Sequence, residues 1–137
     1  MKHAMPVERA TVVGRYELVG INGCLLPAWL ESDETGADTG RYRVMAGELR
    51  LEGNGTYVLE ITAQYDPPGA AAWVRTISSG GTWRFLPSAL DRTSGEVRLA
   101  SGLGQTSAAL AGVSLVHRLG QPDRHPRARA YWVYIRR

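Results

Sequence analysis

The chain of 137 residues holds a single cysteine, Cys24, and a single lysine, Lys2. One thiol cannot form an internal disulfide, so no disulfide framework staples the fold. Long apolar runs are also missing. No stretch approaches the ~20 apolar residues of a membrane-crossing helix, so no membrane span is expected. The start, Met1-Lys2-His3-Ala4-Met5-Pro6, is not followed by the apolar run of about 7–15 residues that a signal peptide needs. As written the protein reads as cytoplasmic, or as secreted or periplasmic if a leader has been removed. Helical periodicity is absent as well. Ser107 to Leu115 comes nearest to it, but Gly112 and β-branched Val113 and Val116 disfavour a helix there.

Charge is balanced. Sixteen basic residues against thirteen acidic ones leave +3, and fifteen of the sixteen are Arg. So small an excess defines no nucleic-acid footprint, and no nucleic-acid partner is expected. Its distribution is uneven. Glu31, Asp33, Glu34 and Asp38 form an acidic loop. Arg118, Arg124, Arg127, Arg129, Arg136 and Arg137 make the C-terminal quarter basic, and we read the loop they surround as solvated. With 44% hydrophobic residues the chain is too apolar for intrinsic disorder. Its length suits one domain. We read 1–10 as a disordered or tag-like N-terminus and 11–137 as a single β-barrel domain.

What is present is alternation. From Thr56 to Tyr65, Tyr57, Leu59, Ile61, Ala63 and Tyr65 share one face, while Glu60, Thr62 and Gln64 share the other. Leu49 and Leu51 alternate with charged residues just before. Glu52-Gly53-Asn54-Gly55 joins the two runs as a hairpin turn, because Gly and Asn tolerate positive φ. Val12 to Val19 reads as a first strand, and 25–30 as a short helical turn or irregular edge. Arg41 to Ala46 opens another strand. Further along, Ala72 to Ile77 and Thr82 to Leu86 read as strands separated by a Gly80-Gly81 turn. Glu96 to Leu99, Gln105 to Leu110, Val113 to Arg118 and Ala130 to Arg136 complete the set. Short antiparallel strands at this spacing predict an all-β fold, a single up-and-down barrel of about eight strands, since closure removes the exposed edges of an open sheet.

Two segments carry a family likeness. Gly14-Arg15-Tyr16-Glu17-Leu18-Val19-Gly20-Ile21-Asn22-Gly23 with Leu26-Pro27 resembles the opening of small bacterial lipocalin-like (calycin-type) domains. Gly47-Glu48-Leu49-Arg50-Leu51 with Gly53-Asn54-Gly55-Thr56-Tyr57 is similar to their second hairpin. Tyr131-Trp132-Val133-Tyr134-Ile135-Arg136-Arg137 is similar to their closing strand. The resemblance implies an eight-stranded lipocalin-like barrel with a cavity for a small apolar ligand, and no catalytic residue. It also implies that Tyr16 packs at the closed end, where the wider group places a Trp, against a late Arg, either Arg129 or Arg136.

Candidate site residues follow from the alternation. Tyr57, Tyr65, Trp83 and Phe85 fall on interior faces, and Tyr16 joins them if Leu18 points inward. Such rings either line a pocket for a hydrophobic small molecule or fill the core. His117 and His125 lack metal-ligand spacing, and the chain has only three His, so no metal site is expected. His117 reads as structural and His125 as solvated. Cys24 has no local base, Glu17 and Glu60 point to water, and Gly102-Leu103-Gly104 precedes no helix, so no nucleophile, acid pair or phosphate loop emerges. No cofactor is expected.

Three functions remain open. The first is a barrel binding a hydrophobic small molecule through Tyr16, Tyr57, Tyr65, Trp83 and Phe85. The second is a cofactor-free enzyme that cyclises a polyene or polyketide-type substrate by holding it in a reactive shape, with 31–40 as a gating loop. The third is a structural or interaction domain with a filled core. Whether the chain forms a homodimer is left open.

Overall fold

The computed structural model describes residues 12–30, 41–89, 94–119 and 130–137. The N-terminal segment 1–10, the proposed gating loop 31–40, the turn at 90–93 and the loop around His125 lie outside them. Ten strands follow one another: β1 (Gly14–Ile21), β2 (Cys24–Leu25), β3 (Ala28–Leu30), β4 (Arg41–Leu51), β5 (Thr56–Asp66), β6 (Trp73–Pro87), β7 (Ser94–Ser101), β8 (Gly104–Ala111), β9 (Ser114–Leu119) and β10 (Ala130–Arg136). Strands β4 to β10 pair each with the next, β10 pairs with β1, and β1 pairs with β4 to close the ring. The result is a closed, antiparallel, up-and-down barrel of eight strands, with β2 and β3 as short flanking additions. It is the architecture expected from the alternation, and it is consistent in general with a calycin-like fold.

Turn chemistry sets the hairpins. The Asn54 carboxamide oxygen accepts from the Thr56 amide at 3.0 Å and from its hydroxyl at 2.7 Å. Gly55 supplies the positive φ of 88° that closes the β4–β5 turn. The segment 25–30 is not a helical turn: Leu25 ends β2, Ala28 opens β3, and a cis Leu26–Pro27 peptide lies between them. Ser107 to Leu115, the nearest rival for a helix, is the β8–β9 hairpin, broken at Gly112 with φ 62°.

Gly80-Gly81 is also not a turn. β6 runs unbroken for 15 residues. Its residues 73–82 pair with β5, and only from Thr82 onward does it pair with β7. A methyl on Gly81 would overlap the Ala100 carbonyl oxygen, and one on Gly80 would stand 2.8 Å from the Tyr57 carbonyl oxygen. The glycines thus serve close backbone approach within a strand rather than chain reversal. Among the described residues, the first half of β6 has no strand partner on its β7 side.

A bulge at Met45 re-phases β4. Val44 faces Ala63 and Ala46 faces Thr62, so Met45 is the extra residue. Before it, Tyr42 and Val44 point inward. After it, Gly47, Leu49 and Leu51 do. A methyl on Gly47 would come within 2.8 Å of both Ile61 Cδ1 and Leu18 Cδ2, so these two side chains occupy the space a side chain there would need.

The core fills one end of the barrel. Tyr16, Leu49, Leu51, Val97, Leu115 and Tyr134 are fully buried, with Tyr57, Trp83, Leu99 and Leu110 nearly so. Burying each such side chain contributes roughly 1.5–3 kcal/mol. The Tyr16 hydroxyl donates to the Val12 carbonyl at 2.6 Å. Arg136 lies beneath it, donating to the Val13 carbonyl at 3.1 Å, and the Gly14 Cα leaves room for that guanidinium. Of the two arginines named for this place, Arg136 occupies it. Arg129 is outside the described residues.

Candidate functional site

At the other end, the barrel wall borders a half-open apolar cavity of about 440 Å³, within the range of small-molecule sites, and its β6 lining residues are exposed to solvent. Register defines its depth. Leu59 and Ser79 form its deep end, one interior pair above Tyr57 and Gly81 in the packed core. Ile61 with Ile77, and Val44 with Ala63 and Arg75, form the next two tiers. Trp132 contributes from β10 on the opposite wall.

The mouth is a row of rings. Tyr42, Tyr65 and Trp73 are successive cross-strand neighbours on β4, β5 and β6. Tyr65 lies 4.6 Å from Tyr42 and 5.2 Å from Trp73 by ring centroids, tilted at 38° and 52°, which suits aromatic pairs. Tyr42 is 45% exposed and Trp73 41%, so this rim presents ring surface to solvent.

The residues singled out by alternation occupy different heights. Tyr16, Tyr57 and Trp83 are in the closed-end core, with the Trp83 indole nitrogen donating to the Glu52 carbonyl at 2.9 Å. Phe85 is partly buried and packs against that core. None of these four lines the cavity. Tyr65 sits on the rim between two lining rings. Tyr42, Trp73, Arg75 and Trp132, not singled out from the sequence, all line the cavity. The 65–73 pairing across the Asp66-Pro67-Pro68-Gly69 turn could have pointed to Trp73 and Arg75. The bulge that turns Tyr42 inward leaves no local signal.

Polar groups are sparse in the cavity. Ser79 offers a hydroxyl, and among the described lining residues Arg75 alone carries a charge, its guanidinium 5.3 Å from the Trp73 ring centre. His117 is 2% exposed and shares a 2.8 Å hydrogen bond between Nε2 and the Thr106 hydroxyl. Burial lowers its pKa, favouring the neutral imidazole. Among the described residues, its Nδ1 and the indole nitrogen of Trp132 are buried without a hydrogen-bond partner, as is the Tyr134 hydroxyl, whose pKa burial raises. Burial also raises the pKa of Tyr16, against the opposing charge of Arg136.

The outer wall carries a separate groove of about 640 Å³, bordered by Arg15, Glu17, Glu48, Glu60 and Arg137. Its charges are paired: Arg15 with Glu48 at 2.9 Å, Arg50 with Glu48 at 3.5 Å and with Glu60 at 3.8 Å, and Arg137 with Glu17. Nearby, Arg41 lies 4.1 Å and Arg43 5.1 Å from the Trp29 ring centre. Mutually satisfied surface ion pairs make a solvated face rather than a reactive one.

Among the described residues, no group of three or more His, Cys, Asp or Glu could hold a metal ion, and no helix is long and apolar enough to cross a membrane. In comparisons with known proteins, no family model, no curated protein and no solved structure matches the chain.

Proposed function

We propose that the barrel binds a hydrophobic small molecule in the cavity between β4, β5, β6 and β10. The observation that carries this reading is the cavity itself. About 440 Å³ of apolar space opens through a rim of three rings, where a filled core would have left none. Val44, Leu59, Ile61 and Ile77 remove the ligand's apolar surface from water. Tyr42, Tyr65 and Trp73 supply flat contact area at its entrance. Tyr16, Tyr57, Trp83 and Phe85 support the site from below, as the packed base on which the cavity rests.

The test is intrinsic tryptophan fluorescence, since Trp73 and Trp132 line the cavity. Fatty acids, retinoids and linear polyketide mimics are titrated into the wild type and into Ala63→Phe, which places a ring in the cavity. Saturable quenching by the wild type, lost in Ala63→Phe at unchanged thermal stability, is the expected result. Absence of saturable quenching by any of these ligands overturns the reading.

A further inference from the structure

We infer that the ligand is an apolar molecule ending in a carboxylate, and that Arg75 is its counter-charge. This rests on the binding reading above and names the class of ligand within it. Position comes first. Arg75 is directly opposite Ala63 in the β5–β6 ladder, on the inward parity that Trp73, Ile77 and Ser79 share. The small Ala63 leaves space over the guanidinium on that face. Arg75 is exposed to solvent, and its neighbours in the cavity lining, Val44, Ala63 and Ile77, are apolar.

Pairing comes second. The described carboxylates that form ion pairs, Glu17, Glu48, Glu60 and Glu96, all pair with Arg15, Arg50, Arg98 or Arg137. All four lie on the outward parity of their strands. Asp66 also faces outward, accepting from the Gln64 carboxamide at 2.9 Å. Among the described residues no carboxylate lines the cavity, and Arg75 forms no ion pair with a described carboxylate, its guanidinium lying 5.3 Å from the Trp73 ring centre. A cation–π contact with that ring leaves the N–H donors of the guanidinium available. A planar, always-charged fork of donors matches a carboxylate in two parallel hydrogen bonds.

Geometry then orders the ligand. Arg75 stands one interior tier below the Tyr42–Tyr65–Trp73 rim and two above the Leu59–Ser79 end. A carboxylate held there leaves the apolar body to descend between Ile61, Ile77 and Trp132. The head faces the mouth and the tail faces the core.

The experiment compares decanoate with methyl decanoate, measured by displacement of a fluorescent apolar probe at a pH where the acid is ionised. The wild type, Arg75→Gln and Arg75→Lys are used. The site is exposed, so these variants retain the fold, which their melting temperatures check. The wild type is expected to bind the acid about tenfold more tightly than the ester. Arg75→Gln removes that preference, bringing the acid and the ester to equal affinity, while Arg75→Lys restores part of it. Equal affinity for acid and ester in the wild type, or an acid preference that survives Arg75→Gln, overturns the assignment of Arg75 and leaves the binding reading standing. Binding of neither compound overturns both.

Discussion

Trp132 and His117 face each other across the β9–β10 ladder, and each ring is buried with one nitrogen that no hydrogen bond from a described residue engages. The two therefore form a buried polar layer on the inner face of β9 and β10, beside the cavity that Trp132 lines. The Thr106 hydroxyl at 2.8 Å fixes the imidazole from the other side.

This layer makes stability depend on pH. Burial holds the folded pKa of His117 below its ordinary value of 6.5, so between the two values the unfolded chain binds the extra proton. Stability is then complete above the ordinary value and falls as pH drops below it, by at most about 1.4 kcal/mol per pH unit. Urea midpoints from pH ~7.5 to ~5 should decline, and His117→Phe should flatten that decline. A wild-type midpoint that is constant through this window contradicts the assignment.

Closing the barrel at Tyr16 has a measurable energy. Tyr16→Phe leaves the buried Val12 carbonyl without its 2.6 Å donor and should cost about 1–3 kcal/mol. Tyr16→Ala also opens a void and should cost about 3–5 kcal/mol. Urea unfolding reads both. Because Tyr16 lies outside the cavity lining, ligand affinity of the Phe variant should equal that of the wild type.

Two glycines separate close approach from ordinary turn flexibility. Gly81→Ala drives a methyl into the Ala100 carbonyl, whereas a methyl on Gly53 meets nothing within 4 Å. Gly81→Ala should cost about 3 kcal/mol or more, and Gly53→Ala less than about 1 kcal/mol. Melting temperatures of the two variants would decide it, and equal losses would show that β6 does not need glycine where β7 meets it.

The outer ion pairs should matter little. Glu48→Gln breaks contacts to Arg15 and Arg50 on an exposed face, so the expected loss is under about 1 kcal/mol and smaller still in high salt. A loss of several kcal/mol would mean that this groove holds the β1–β4 closure together.

Much of this was legible from alternation, and the limits are specific. The strict pattern from Thr56 to Tyr65 with its Gly-Asn-Gly turn identified the β4–β5 hairpin and its inward face. Parity tells inside from outside but carries no height along the barrel. Tyr57 and Tyr65 share a face, yet one is in the core and the other on the rim. Height follows from long-range register, which no single strand encodes. The Met45 bulge reverses parity within β4 and so concealed Tyr42 and Val44. Gly80-Gly81 resembles a turn because close backbone approach and chain reversal both call for glycine. The sequence places Trp132 in a closing strand, and its place in one cavity with Ile61 and Val44 follows only from the closed ring.

The location of the ligand is tested most directly by photolabelling. A dodecyl chain with a terminal diazirine is incubated with the protein, irradiated, and its attachment points are mapped by peptide mass spectrometry. Labels should concentrate on Val44, on 59–63 of β5, on 73–79 of β6 and on Trp132, and excess unlabelled decanoate should remove them. Labels confined to the outer face around Glu48 and Glu60, or spread evenly and insensitive to competitor, would contradict an interior site.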